Sequence, residues 1–304
     1  MTRVAAIDCG TNALRLLVAD VDSHGTLTDV VRLMRTVRLG EGVDRTGEFS
    51  DAALARTFAV CEEYAQLIAE HGAERSRFVA TSASRDVSNR EQFVNGVTAR
   101  MGISPEVIAG TEEAGLSYEG ATRSLFGVVS PALVVDIGGG STEFVLGEQS
   151  VSVNVGCVRM TERHLHSDPP TSDEIELVRG DLADAMSRAA ESVDLRAAGT
   201  LVGVAGTVTT VAARAMGLYS YDADVLHGAV IERAALEQAI ADLVAMTRAE
   251  RAALPYMHPG RVDIIGGGAL VLGAVVAAVG LPRITVSECD ILDGIAYRLA
   301  AATA

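Results

Sequence analysis

The sequence contains no lysine: all 25 of its Lys-plus-Arg residues are arginine. A P-loop lysine and a Schiff-base lysine are thereby excluded, and any charged side chain that grips a phosphate must be arginine. Tryptophan is absent as well, and aromatic residues make up only 4% of the chain, so the core has to be built from Ala, Val, Leu and Ile. The four cysteines, Cys9, Cys61, Cys157 and Cys289, lie far apart with no CxxC pair. That spacing excludes a disulfide framework or a cysteine zinc site and fits a reduced, cytoplasmic protein. Positive charge is scarce overall, with a formal net charge of −15. A general nucleic-acid binder gains affinity from a basic surface, so that class is excluded, whereas a small phosphate site needs only local donors. No signal peptide is expected, because Asp8, Asn12 and Arg15 interrupt the first apolar run. The one long uncharged stretch, Ile264 to Pro282, contains five glycines and lacks a strong basic flank, so it reads as a buried helix rather than a membrane span.

What is present is ample for a core: 304 residues, 49% hydrophobic and 21% charged, a length that suggests about two domains. The chain opens with an apolar strand from Val4, a polar glycine-bearing turn at Cys9 to Asn12, and a second apolar strand from Leu14 to Ala19. Leu54, Phe58, Cys61, Ala65 and Ile68 give a helix from Ser50 to His71, with Ser50 or Asp51 as its cap. A strand at Arg77 to Thr81, a helix at Ser88 to Met101 and a strand at Pro105 to Ala109 follow. Thr111 is then expected to cap a helix reaching about Ser124. A second strand–turn–strand unit runs from Ala132 to Leu146, and a further strand is expected at Val151 to Val155. Later come a helix at Ser172 to Ser192, a strand at Leu201 to Ala205 and a Gly206-Thr207 turn that opens another helix. A strand near Ile284 to Val286 and a last helix from about Leu292 complete the reading.

The two strand–turn–strand units are alike. Ala6-Ile7-Asp8-Cys9-Gly10-Thr11 and Val134-Val135-Asp136-Ile137-Gly138-Gly139 each place an Asp near the end of an apolar strand, then a glycine turn. Two copies more than a hundred residues apart predict two related domains facing each other across a cleft. At Gly138, Gly139, Gly140 and Ser141 the bare backbone lets a phosphate approach several N–H groups, with a hydroxyl beside them. Gly10, Thr11 and Asn12 offer a similar set. Asp8 and Asp136 beside a polyanion would repel it unless a cation intervenes, and hard oxygen ligands favour Mg²⁺. Glu112 and Glu113, in the first turn of a helix, both remain candidates to orient or deprotonate a water, or are simply acids favoured by the helix dipole.

The blocks Ala6-Ile7-Asp8-x-Gly10-Thr11-Asn12-x-x-Arg15 and Val135-Asp136-Ile137-Gly138-Gly139-Gly140-Ser141-Thr142-Glu143 resemble the exopolyphosphatase/guanosine pentaphosphate phosphatase family. Arg38-Leu39-Gly40-Glu41-Gly42, Ala80-Thr81-Ser82-Ala83-Ser84-Arg85, Ile108-x-Gly110-x-Glu112-Glu113-Ala114, Gly203-x-Ala205-Gly206-Thr207 and Arg261-x-Asp263-Ile264-Ile265-x-Gly267-Gly268-Ala269 agree, in family order and across nearly the whole chain. The resemblance implies an α/β protein of two actin-like (ribonuclease H-like) domains, with mixed sheets flanked by helices and the active site in the interdomain cleft. Residues 1–116 with 290–304 are expected to form the first domain and 117–289 the second. The implied activity is hydrolysis of the terminal phosphate of inorganic polyphosphate, releasing orthophosphate. The alternatives are a guanosine pentaphosphate (pppGpp) 5′-phosphohydrolase, a nonhydrolytic polyphosphate or nucleotide sensor, and a kinase of the same fold. By this resemblance Glu113 is the catalytic carboxylate. Gly10, Thr11, Asn12, Arg85, Gly138, Gly139, Gly140 and Ser141 bind phosphate, and Asp8, Asp136 and Glu143 serve a Mg²⁺ or another divalent cation. Arg15 and Arg38 are weaker candidates as phosphate donors. A cytoplasmic homodimer without nucleic-acid or membrane partners is expected. Two departures stand out: Ala13 replaces a common Ser, and no helical region resembling an HD-type phosphohydrolase follows, which predicts a preference for short polyphosphate.

Overall fold

A computed structural model describes residues 1–85 and 87–302. The chain divides into two compact units, one made of Met1–Gly120 together with the segment from Asp290 onward, the other of Ala121–Cys289.

The first unit contains β1 (Thr2–Cys9), β2 (Ala13–Val21), β3 (Leu27–Thr36), the short α1 (Val43–Thr46), α2 (Asp51–Glu70), β4 (Arg75–Ala80), the one-turn α3 (Ser82–Arg85), α4 (Arg90–Met101), β5 (Glu106–Val107) and α5 (Gly110–Arg123), whose end passes into the second unit. The second contains β6 (Ala132–Ile137), β7 (Thr142–Leu146), β8 (Gln149–Val153), α6 (Cys157–His164), α7 (Ser172–Ser192), β9 (Thr200–Val204), α8 (Ala205–Ala215), α9 (Ala223–Leu226), β10 (Val230–Glu232), α10 (Arg233–Ala245), α11 (Arg248–Ala252), α12 (Ile265–Val279) and β11 (Arg283–Val286). The chain then returns to the first unit through α13 (Ile291–Ala301).

Both sheets are mixed and flanked by helices, as the expected fold class requires. The first has the order β3-β2-β1-β4-β5, with β1–β2 and β2–β3 antiparallel and β1–β4 and β4–β5 parallel. The second has the order β10-β11-β9-β6-β7-β8, with β6–β7 and β7–β8 antiparallel and β6–β9 parallel. The internal repeat is therefore structural: an antiparallel hairpin whose first strand also pairs in parallel with a later strand. Its register sets Asp8 opposite Arg15 in one copy and Asp136 opposite Glu143 in the other.

β1 is apolar along its length because both of its faces are covered. Ala5, Ile7 and Cys9 pack with Leu54, Cys61 and Tyr64 of α2 and Phe93 and Val97 of α4. Val4 and Ala6 point the other way and pack with Leu116 of α5 and Ile291, Leu292 and Ile295 of α13. By the two-residue period of a strand, Asp8 belongs to this second face.

Several elements depart from the sequence expectations. Ser50 does cap α2, its hydroxyl accepting from the Ala53 N–H at 3.2 Å. Thr111 does not cap α5: the helix begins at Gly110, and Ala109 O accepts the N–H groups of Glu112 and Glu113. The strand expected at Val151 to Val155 is β8, two residues earlier. Gly206 and Thr207 are not a turn but part of the first turn of α8, and the left-handed residue there is Ala205, the first of the helix, with φ 68°. The strand β3 was not anticipated. The uncharged stretch from Ile264 forms α12, a largely buried helix, and no helix among the described residues is long and apolar enough to cross a membrane.

Candidate active site

In the first unit the candidate residues gather because β1, β4 and β5 run parallel, so their carboxyl ends lie side by side. Loops at such ends carry ligand sites in open α/β sheets. The turn after β1 is closed by the Gly10 N–H donating to Ala13 O at 3.0 Å. The carbonyls of Thr11 and Asn12 are then occupied from one side: Gly40 N donates to Thr11 O at 2.8 Å, and Val37 N and Arg38 N donate to Asn12 O at 3.0 and 2.8 Å. Beside this turn lies α3, following directly on β4, with Thr81 N donating to Cys9 O.

Four buried oxygens here have no hydrogen-bond partner among the described residues: Asp8 Oδ1, Thr11 Oγ1, Ser82 Oγ and Ser84 Oγ. Buried polar atoms are nearly always paired in folded proteins, so such a cluster marks a place built for a ligand, cation or water. Ser82 and Ser84 were not among the sequence candidates. The signal was the run of small hydroxyl residues in Thr81-Ser82-Ala83-Ser84, which alone reads as a turn.

Arg85 ends α3 and Glu113 opens α5, and the two meet in an ion pair, Nη1 to Oε2, at 2.6 Å. Glu113 is buried at 8% exposure. Its neighbour Glu112 projects elsewhere, onto Arg77 at 2.7 Å, and that arginine is also paired with Glu106 at the surface. One residue is about 100° of helical rotation, enough to put one acid on Arg85 and the other in a solvent-facing ion pair.

Asp8 is nine-tenths buried and more. Burial pushes its carboxyl above the ordinary Asp range, against the pull of Arg15, with nearby Asp290 adding to the rise. Arg15 donates from Nε and Nη2 to Asp8 Oδ2, at 2.9 and 2.6 Å, and from Nη1 to Asp290. It is thus committed to carboxylates.

The second unit repeats the turn, Gly138 N donating to Ser141 O at 3.0 Å. Its carbonyls are also taken up on one side. Cys157 N donates to Gly138 O, Val158 N and Arg159 N donate to Gly139 O, and Arg159 Nε donates to Gly140 O, all at 2.8–3.1 Å. Gly156 permits this approach, since a Cβ there would lie 2.5 Å from Gly139 O. The N–H groups of Gly139 and Gly140 take no acceptor among the described residues. Carbonyls spent on one side and amides left over are the elements of an anion cradle. Asp136 is buried at the end of β6. Glu143 Oε1 accepts from Ser141 Oγ at 2.6 Å and Ser152 Oγ at 2.7 Å, so the Ser141 hydroxyl spends its proton on Glu143 and offers an anion chiefly its backbone.

Among the described residues no group of three His, Cys, Asp or Glu side chains could hold a metal by itself. Mg²⁺ does not need one: it typically takes one or two carboxylates, several waters and substrate phosphate oxygens. The donor set fits such an ion, because it is all oxygen and Asp8 Oδ1 lacks a partner. Within the first unit, an arginine, a buried glutamate and the partnerless hydroxyls suit the transfer of a phosphoryl group to water.

A model of the Ppx/GppA phosphatase family matches residues 17–302. The chain is 50% identical to a protein named exopolyphosphatase 2 from Mycobacterium tuberculosis, across 99% of each. The crystal structure of an exopolyphosphatase-like protein superposes with a TM-score of 0.97 at 42% identity, covering 100% of this chain and 99% of that one. A Ppx/GppA family member from Aquifex aeolicus superposes with a TM-score of 0.83 at 29% identity, covering 99% of this chain and 98% of its own.

Proposed function

From the premise that the chain belongs to the Ppx/GppA phosphatase family, we propose that it is an exopolyphosphatase that hydrolyses the terminal phosphoanhydride bond of inorganic polyphosphate. The observation that carries the reading is the Arg85–Glu113 pair beside the partnerless hydroxyls at the carboxyl ends of β1, β4 and β5. The 50% identity to a protein named exopolyphosphatase supports the choice of substrate.

Glu113 acts as general base. It takes a proton from water as the water oxygen attacks the terminal phosphorus, the bridging P–O bond breaks, and orthophosphate leaves along with a chain one unit shorter. The ion pair with Arg85 holds the Glu113 carboxylate in place while the site is empty. Phosphate oxygens then compete for the same guanidinium, which holds them bidentately and turns Glu113 toward the water. In each unit a glycine turn, closed by the N–H of Gly10 or of Gly138, supplies its remaining backbone donors to phosphate oxygens, through Thr11 and Asn12 in one and through Gly139, Gly140 and Ser141 in the other. Such fixed donors act where negative charge builds in the transition state. A divalent cation, Mg²⁺, would be held by Asp8 in the first unit, and when bound it offsets the phosphate charge; Asp136 and Glu143 are the candidate carboxylates of the second unit, taken by itself.

The test is orthophosphate release with Mg²⁺ from polyphosphates of increasing length, with pppGpp in parallel. The expected result is release from polyphosphate. Release from pppGpp alone would replace the polyphosphatase by a pentaphosphate phosphohydrolase. Tight binding without release would make the protein a sensor.

A further inference from the structure

We propose that Asp290, on the C-terminal segment, is a positioning residue for the divalent cation: by holding one arm of Arg15 it keeps an oxygen of Asp8 open to the ion. The inference rests on the cation role of Asp8 in the proposed function and adds a residue that no motif singled out.

Strand periodicity brings the three side chains together. Asp8 and Arg15 are directly opposed in the β1–β2 register. Asp8 lies on the face of Val4 and Ala6, and Arg15 on that of Leu17 and Ala19, which is the face covered by α13. Asp290 is the N-cap of α13, so the start of that helix meets the end of the hairpin. The two carboxylate oxygens of Asp290 have separate tasks. Oδ1 accepts the Leu292 N–H at 3.1 Å and fixes the helix start, while Oδ2 accepts from Arg15 Nη1.

The consequence for Asp8 is geometric. An arginine opposite a lone carboxylate ordinarily closes on it with two parallel bonds, one to each oxygen. Here both available N–H groups converge on Asp8 Oδ2, and Oδ1 is left buried without a hydrogen bond. The third nitrogen, Nη1, lies outside that edge and is held by Asp290, which keeps the guanidinium from turning square onto both oxygens of Asp8. Charge points the same way. Asp8 and Asp290 are both about 95% buried or more and share one guanidinium, so two negative charges face one positive charge. Asp293, the next carboxylate of the same helix cap, is matched separately by Arg32 at 2.6 Å. A buried excess of one negative charge is costly unless a cation joins it.

The experiment measures Mn²⁺, as a paramagnetic stand-in for Mg²⁺, bound to the whole protein in the presence of orthophosphate, by loss of the free-ion electron paramagnetic resonance signal. Asp290→Asn is the informative variant, because Asn caps a helix as well as Asp does and keeps the acceptor for Leu292 N–H. It removes the charge that holds Arg15, which then closes on both oxygens of Asp8. The expected result is an affinity for Mn²⁺ lowered about ten- to hundredfold, the usual effect of losing a residue that orients a metal ligand. The metal concentration for half-maximal hydrolysis should rise with it, while kcat at saturating metal recovers. Asp293→Asn, which disturbs the same cap without touching Arg15, should leave the Mn²⁺ affinity unchanged. Wild-type affinity in Asp290→Asn, or an equal loss in Asp293→Asn, overturns the inference while hydrolysis by the wild type keeps the functional reading intact. Wild-type protein that takes up no Mn²⁺ overturns both the inference and the cation role of Asp8.

Discussion

Replacing Gly120 with alanine should loosen the docking of α13 against α5, and the size of the effect follows from the coordinates. A Cβ at Gly120 would sit 1.8 Å from the carbonyl oxygen of Asp290 and 2.9 Å from the Gly294 nitrogen. The contact is reciprocal, since a Cβ at Gly294 would lie 2.0 Å from Leu116 O. These obstacles are backbone, so no rotamer change relieves them. With about 3.5 Å as the comfortable separation, α13 must retreat by roughly 1.5 Å. Its apolar face, Ile291, Leu292, Ile295 and Ala296, is buried against β1 and α5 and would lose close packing. Overpacking of this kind costs about 3 kcal/mol at the upper end, and the better helix propensity of alanine returns about 1 kcal/mol. The net loss of about 2 kcal/mol should lower the melting temperature by roughly 5 °C. Thermal unfolding followed by circular dichroism measures it. A Gly120→Ala variant as stable as the wild type would refute the claim that α5 and α13 touch through their glycines.

Gly180 gives the opposite expectation, because it is exposed in the middle of α7 with nothing within 4 Å of its missing Cβ. Gly180→Ala should raise stability by about 1 kcal/mol in the same melting experiment. Acid unfolding should expose Glu174. The Thr171 N–H, with those of His166 and Ser167, holds its carboxyl down to about 2 from an ordinary value of 4.5. A depressed carboxyl adds stability that is complete above its unfolded value and is lost as pH falls through the folded one. Urea unfolding of Glu174→Gln should therefore show a shallower loss of stability than the wild type between about pH 4.5 and 2, with the difference between the two proteins greatest at neutral pH.

The parts of the fold that were legible are those in which local pattern and tertiary environment agree. β1 and β6 are apolar runs ending in Asp and a glycine turn, and a strand covered on both faces is apolar for that reason. β3 was hidden because Asp29, Arg32 and Arg35 recur every three residues, a spacing that mimics a helix face. It is an edge strand, half exposed, with a register irregularity at Val18/Ala19 of its partner. Thr111 looked like a cap because a hydroxyl before acidic residues is a common helix start, yet the helix opens one residue earlier, directly after β5. At the site, sequence pattern left Glu112 and Glu113 equivalent, since their difference lies in what each faces: Arg77 for one and Arg85 for the other. Asp290 was visible only as a domain boundary, because its partners Arg15 and Asp8 lie at the far end of the chain.

The proposed function turns on Glu113 as the base of a polyphosphate hydrolase. The most direct measurement is orthophosphate release from short-chain polyphosphate with Mg²⁺, comparing wild type, Glu113→Gln and Glu112→Gln at equal folded concentration. Glu113→Gln keeps the shape of the side chain and removes its basicity, so the predicted rate falls about 10²- to 10⁴-fold while polyphosphate still binds. Glu112→Gln, which disturbs only the ion pair with Arg77, should retain nearly the wild-type rate. An undiminished rate in Glu113→Gln, or loss confined to Glu112→Gln, would contradict the assignment.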